Sequence, residues 1–511
     1  MLNYQDFKTN LFYHDIIIKM KTKTIILTAL SSIFFYSCGI KKYSATMQQM
    51  STTEIINIKY TGKQISEDID YFIKSVEEVA PFPYMNADSL AIQALAKELK
   101  QKGDRMGNEL YLDFMRLSAA FNVGHIYTFP PEAMLDEAIK NGDQFFPLFL
   151  KKNQGNWEIM GIIDNTLPEK NIGDRVTKIN GMEMNEIIKQ IQPLLANDGN
   201  SEEMIGNSLP FLLWAVKIGH PFSAEIIHKE TGLSEVVQLQ GTNDLSKYRS
   251  QRPKNENEKL DDYITFEILD KNIGLIDAKS FYFVQNNKIT KAFDNELESY
   301  FAQLNQKGVS NLIIDLRENG GGSGYPAEAI LQKIAHKPYQ QEGGSTMRVS
   351  AQFREFIDNL PRLIRMIAKK GQMKNFYRHP IGTNVKEENK PALPKKVKNS
   401  FNGQVYVLIG PNTRSAAMMM ANAIEDFDLG ILVGVPTRSI PRELSNALPL
   451  KTPNAKVAFV VPATLFTRAS GDANNYEPVT PDIIIETKPE DIQKKHDPVM
   501  QFTLEKIAAG K

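Results

Sequence analysis

The apolar positions of this chain change period twice, and the changes divide it. Ile65, Ile69, Phe72, Ile73, Val76 and Val79 recur at helical spacing and stop at Pro81-Phe82-Pro83. Ser89 to Leu99 repeats the pattern, and Leu110, Phe114, Leu117 and Phe121 line one face of a third segment running into Asn122-Val-Gly-His125. Apolar residues three and four apart share one side of an α-helix, so this region predicts a small helical domain. From about Phe145 to Gln240 the runs shorten. Trp157 to Ile163 reads as a strand, Ile172 to Gly181 as a strand and turn, and a short helix starts near Asn185. Residues 242–262 are polar and charged and predict a linker. From about Tyr263 the pattern alternates, with strands at Ile273–Ala278, Asn311–Leu316, Val405–Ile409, Leu429–Val433 and Val457–Val461. Helices are predicted near Ile289–Gln306, near Ala327–Ala335 and from Ala416 to Phe427. Such alternation argues an α/β sheet, interrupted by a Pro- and Lys-containing insertion at 336–400.

Composition narrows the class. An apolar content of 42% with 23% charged residues is that of a soluble globular protein, and 511 residues leave room for about three domains. Lys+Arg and Asp+Glu both number 60, so no overall basic field draws in nucleic acid, and no nucleic-acid partner is expected. Arg362, Arg365, Lys369, Lys370, Lys374 and Arg378 make the insertion locally basic, which reads as a solvated face. The single cysteine, Cys38, follows Lys19, Lys21 and Lys23 and the apolar run Ile25 to Tyr36. A basic start, a short apolar stretch and a small residue form an export signal. A Cys at the cleavage point resembles a bacterial lipobox, with Phe35 where Leu is usual. The expectation is an exported chain whose Cys38 carries a lipid anchor in the cell envelope; a start at Met20 would give the leader its ordinary length. The predicted divisions are a leader at 1–38, a tether and helical domain at 39–140, a strand-and-turn module with linker at 141–262, and an α/β core at 263–511.

Ser415 holds the most informative setting. The strand Val405–Ile409, the turn residues Gly410 to Thr413 and the helix from Ala416 place it at a strand-to-helix turn. There a hydroxyl projects from the sheet, and free backbone N–H groups can stabilise an oxyanion. A serine so placed is also the commonest kind of helix cap, so its company has to decide. One companion is Leu312-Ile-Ile-Asp-Leu-Arg-Glu-Asn-Gly-Gly-Gly-Ser-Gly324, an apolar strand ending in a glycine turn whose N–H groups can form an anion nest. It lacks the spacing of dinucleotide and P-loop fingerprints. Asp315 and Arg317 read as an ion pair bracing that turn. His220, His228, His336, His379 and His496 show no metal-ligand spacing, and Met418–Met420 reads as helix packing.

In order, Leu312–Gly322, Ser415-Ala-Ala, Gly434-Val-Pro-Thr437 and Val479-Thr-Pro-Asp-Ile483 resemble the tail-specific, C-terminal-processing serine proteases of peptidase family S41. Gly274–Phe281 resembles that family's first core strand, Gly173–Gly181 the end of its PDZ-like module, and Asn122-Val-Gly-His125 its Asp-Gly-His-Thr motif. The resemblance implies a crotonase-like (ClpP/crotonase) α/β core, an N-terminal helical domain, a PDZ-like module, a polypeptide substrate, and no metal or cofactor. One branch of the family uses a Lys base beyond the Ser. Here Gly434–Ile440 has none, and neither Arg438 nor Arg442 deprotonates usefully. The resemblance therefore runs to the His-dependent, tricorn-like branch. It implies Ser415 as nucleophile, His125 as base and Glu477 as the orienting carboxylate, with backbone N–H groups of Gly321 or Gly322 and of Ala416 as oxyanion donors. Val123 stands for the usual Asp, Ile126 for the usual Thr, and Met418 for a frequent Glu. These departures support a second reading, a catalytically inactive surface lipoprotein of the same fold that binds peptide or glycan ligands. A crotonase-like acyl-CoA enzyme is a third, disfavoured by export and by the lack of a nucleotide-binding signal.

Overall fold

The computed structural model describes residues 57–510 except 129–131, 154, 164–165, 197–200, 244–258, 271 and 372. Cys38, the leader and most of the predicted linker lie outside the described residues.

Helices α1 (Gly62–Val79), α2 (Ser89–Gln101) and α3 (Gly107–Ala119) follow the predicted periods, and the two-residue strand β1 (Tyr127–Thr128) comes just after His125. The middle region folds as β2 (Leu148–Asn153), β3 (Asn156–Ile162), β4 (Arg175–Ile179), helix α4 (Ser201–Ala215), β5 (Phe222–Ile227) and β6 (Ser234–Leu239). Its strands pair in the order β2-β3-β4-β5-β6 and close on their own core of Leu148, Ile159, Val176, Ile187, Leu209 and Ile226.

The C-terminal block runs β7 (Ile264–Asp270), β8 (Ile273–Ala278), α5 (Asn287–Gln306), β9 (Asn311–Asp315), α6 (Gly324–Ile334), β10 (Gly344–Arg348) and β11 (Asn384–Glu388). It continues through β12 (Gln404–Ile409), α7 (Ala416–Phe427), β13 (Ile431–Gly434), β14 (Leu444–Lys451), β15 (Ala458–Thr467), β16 (Ile483–Ile484) and α8 (Pro498–Ala508). The alternation makes a mixed α/β fold. The principal sheet has the order β7-β8-β9-β12-β13-β16, and it is parallel from β8 to β16. Parallel strands are covered on both faces, which explains their near-continuous apolar runs. Leu312 and Ile314 point into the core under α5, α6 and α7, whereas Ile313 joins Tyr406, Leu408, Val433 and helix α8 on the opposite face.

A second sheet, in the order β11-β10-β15-β14, is formed largely outside the predicted alternation, and β1 adds to β15. Two of its strands, β10 and β11, come from within the 336–400 insertion, which is therefore part of the architecture as well as an interruption of it. The N-terminal helices share one core with this sheet: Phe72, Phe114 and Phe121 pack with Phe459, Val461 and Leu465. Fully buried Asp68 of α1 ties the two together. Its carboxylate accepts from Thr452 Oγ1 (2.9 Å), Asn454 N (2.8 Å) and Ala455 N (2.7 Å) in the β14–β15 turn.

Candidate active site

Ser415 and the glycine turn meet because β9 and β12 are adjacent parallel strands, paired from Asn311–Gln404 to Asp315–Leu408. Both chains leave the sheet at its carboxyl end, where open α/β sheets form their crevices. Fully buried Thr413 sets the course of the second chain: its Oγ1 donates to Leu316 O (2.8 Å) and accepts from Gly410 N (3.0 Å). Ser415 then takes φ 47° and ψ −122°, and its side chain makes no cap bond to α7. Holding a non-glycine residue there costs about 1–3 kcal/mol. A capping serine has extended backbone and bonds the helix N–H groups, so capping does not account for this residue.

The glycines are required by contact. Gly321 has φ +95°, and a Cβ there would lie 2.7 Å from Ser415 Cβ and 2.8 Å from Arg414 O. Gly322 has φ +131°, and a Cβ would lie 2.4 Å from the carbonyl carbon of Phe281. Buried Asn319 fixes the turn by donating to Ala278 O (3.0 Å) and accepting from Gly321 N (2.9 Å), while its own carbonyl accepts from Arg414 N (2.9 Å). Gly321 N–H is thus committed to Asn319. The N–H groups of Gly322 and Ala416 have no acceptor among the described residues, so these two suit an anionic oxygen best. Arg317 braces the base of the turn as expected, gripping Asp315 (2.6 Å) and also Asp497 (2.7 Å) at the start of α8. Burial opposes its charge, but the two carboxylates outweigh that and hold its pKa above the ordinary range.

His125 lies in a groove on the second sheet's side, lined by Met85, Asn86, Val123, Ser439, Arg442, Glu443 and Leu444. Its Nδ1 stands 3.1 Å from Glu443 Oε1, at an angle short of an aligned hydrogen bond. The segment 435–443 that supplies Glu443 leaves β13, the neighbour of β12, and enters β14. His125 and Ser415 form no hydrogen bond with each other in this structure. Glu477 is exposed, on the loop after β15, where its carbonyl accepts from Arg468 Nη1 (3.2 Å). Tyr476 beside it lies under the guanidinium of Arg442, 4.7 Å from the ring centroid. Val123 and Ile126, the departures beside His125, are buried in the core shared by the helices and the second sheet. Met418 and Met420 are fully buried in the core beneath α7, as their helical reading required.

The structure therefore brings Ser415, Gly321, Gly322 and Ala416 together, sets His125 against Glu443, and leaves Glu477 outside that contact. Residues 272–485 match the model of peptidase family S41. That is the family the motifs resembled, and the matched span contains the glycine turn, Ser415, Glu443 and Glu477. Mature CPAF complexed with lactacystin is similar in fold, at 13% identity over 88% of this chain and 98% of its own, with a TM-score of 0.58. A CPAF mutant gives 14% identity over 87% and 96%, with a TM-score of 0.61. No curated protein matches the sequence.

Asn319, Thr413 and Glu443 are the site residues that sequence reading did not single out. Asn319 stood inside the quoted glycine motif and Thr413 inside the quoted turn, so both were within sight. Glu443 carried no local signal, since its importance comes from a contact with a residue far away in the chain.

Proposed function

We propose that this protein is a serine-type peptidase that hydrolyses peptide bonds through an acyl-enzyme at Ser415. The observation that carries the reading is the strained backbone of Ser415, a non-capping hydroxyl set against a glycine turn and two uncommitted N–H groups. In the proposed reaction Ser415 Oγ attacks the scissile carbonyl carbon and its proton passes to His125 Nε2. The N–H groups of Gly322 and Ala416 take the oxyanion, a role each donor can fill with about 10²–10³ in rate. His125 then gives the proton to the departing amine as the C–N bond breaks. Water, giving a proton to His125, attacks the ester carbonyl, and His125 returns that proton to Ser415 Oγ as the acyl C–O bond breaks. Two carboxylates compete for the orienting role, Glu477 by resemblance and Glu443 by contact.

The same reading takes the α/β block as a crotonase-like core and the β2–β6 sheet as a PDZ-like module that receives polypeptide ends. It also takes the chain as exported and held to an envelope membrane through Cys38. The experiment is cleavage of a denatured polypeptide by the purified chain. Cleavage should occur in the wild type and vanish in S415A and H125A, both still folded. Val123, Ile126 and Met418, buried where the resembled motifs carry Asp, Thr and often Glu, favour the alternative of a non-catalytic binding protein. A folded wild type that binds peptides without cleaving them would establish that alternative.

A further inference from the structure

The peptidase reading, on which this inference rests, requires His125 to present an unprotonated Nε2 to Ser415. That tautomer keeps its proton on Nδ1, so an acceptor must face Nδ1. The carboxylate in that place is Glu443, with Oε1 3.1 Å away and side-chain exposures of 26% for His125 and 12% for Glu443. We propose that Glu443 is the positioning carboxylate for His125, holding the tautomer and stabilising the imidazolium formed when Ser415 gives up its proton.

The setting of Glu443 suits the task. It directly precedes β14, whose first residue, Leu444, pairs with Leu465. Its carbonyl accepts from Phe466 N at 2.8 Å, so its backbone is pinned to the sheet that also carries β1, two residues beyond His125. A carboxylate and an imidazole that each sit beside a strand of one sheet are held in register by it, whereas a residue far along a loop has to be ordered first. Glu477 is such a loop residue, exposed and held through its backbone. Arg442 links the two sites, since it lines the groove of His125 and covers Tyr476 next to Glu477. The loose angle at Nδ1 fits a resting enzyme, in which catalytic hydrogen bonds are long and tighten with substrate.

The test compares E443Q, E443D and E477Q on a peptide substrate, with S415A as control. Glutamine keeps the size of Glu443 but removes its charge, and its amide can donate to Nδ1 and select the wrong tautomer. For E443Q we expect kcat to fall about 10²–10⁴-fold with little change in KM, by analogy with loss of the triad carboxylate. E443D should recover part of that loss. Among the groove residues around His125 the charged ones are Glu443 and Arg442, and Met85, Asn86 and Ser439 are neutral. Removing the negative charge should therefore move the acid limb of kcat/KM to lower pH, a change that a merely structural defect would not give. The loss in E443Q should exceed that in E477Q. The reverse order, or an E443Q enzyme within about threefold of wild type, would overturn the proposal. If E443Q fails to fold, E443D, which keeps the charge but draws it back from Nδ1, decides through the rate: a lowered kcat at unchanged KM supports the role, and an unchanged kcat rejects it. Activity persisting in S415A would instead overturn the peptidase reading itself.

Discussion

The Ser415 turn and the His125 groove, which the proposed peptidase reading joins in one site, are built by opposite means. The turn is a backbone construction: two adjacent parallel strands deliver it, and Asn319, Thr413 and the glycines fix it by short-range contacts. The groove is a side-chain construction drawn from the loop after α1, the approach to β1 and the segment before β14. The first half is set once the principal sheet forms. The second requires the N-terminal helices, the insertion strands and the β14–β15 hairpin to dock correctly. On that reading the proposed nucleophile is complete in its own half, while its proposed base depends on tertiary assembly elsewhere.

The sharpest way to break the turn while sparing the groove is G321A. The added methyl would meet Ser415 Cβ at 2.7 Å, at a φ of +95° that suits glycine. Activity should fall by about 10²-fold or more through misplacement of Ser415, with a cost in stability of about 1–3 kcal/mol. Peptidase assays and denaturant unfolding check both. Wild-type activity in G321A would show that the turn is not the rigid half.

D68A tests the groove from its far support. It leaves Thr452 and the N–H groups of Asn454 and Ala455 without their acceptor. We expect a loss of about 2–4 kcal/mol on unfolding, and hydrogen exchange that rises first in the β14–β15 hairpin and only later in β9 and β12. Equal loosening of both sheets would erase the distinction between the halves.

The smallest effect concerns pH. Glu342 lies just before β10, and burial, aided by the nearby carboxylate of Glu328, raises its carboxyl from 4.5 to about 7. The folded state therefore holds this proton more tightly than the unfolded chain does, so its contribution favours folding at low pH and is lost as pH rises from about 4.5 through about 7. E342Q removes that ionisation. Its melting temperature relative to wild type should be higher at pH 8 than at pH 5, and a difference that is the same at both pH values would refute the assignment.

The same contrast governs how much was legible in the sequence. Ala416–Phe427 is a helix as predicted, and Gln404–Ile409 is the strand seen at Val405–Ile409, because each is a contiguous run with its own period. The ion pair of Asp315 with Arg317 was legible for the same reason, the two residues being two apart where the strand ends. The second sheet was harder. Strand β14 reads Leu-Ser-Asn-Ala-Leu-Pro-Leu-Lys, and Pro449 argues against a strand until β14 is known to lie at a sheet edge, where proline is tolerated. Strands β10 and β11 were hidden in a stretch whose lysines and prolines suggested an interruption. His125 was visible through its motif, but the carboxylate against it was not, since no local pattern joins His125 to Glu443.

The central claim is that Ser415 is a nucleophile held ready by its turn. The most direct measurement is treatment of the folded protein with a fluorophosphonate, followed by mass spectrometry of its peptides. The account predicts a single covalent adduct on Ser415, lost in S415A and strongly slowed in H125A. An unlabelled but folded wild type, or an adduct on another residue that persists in S415A, would contradict it.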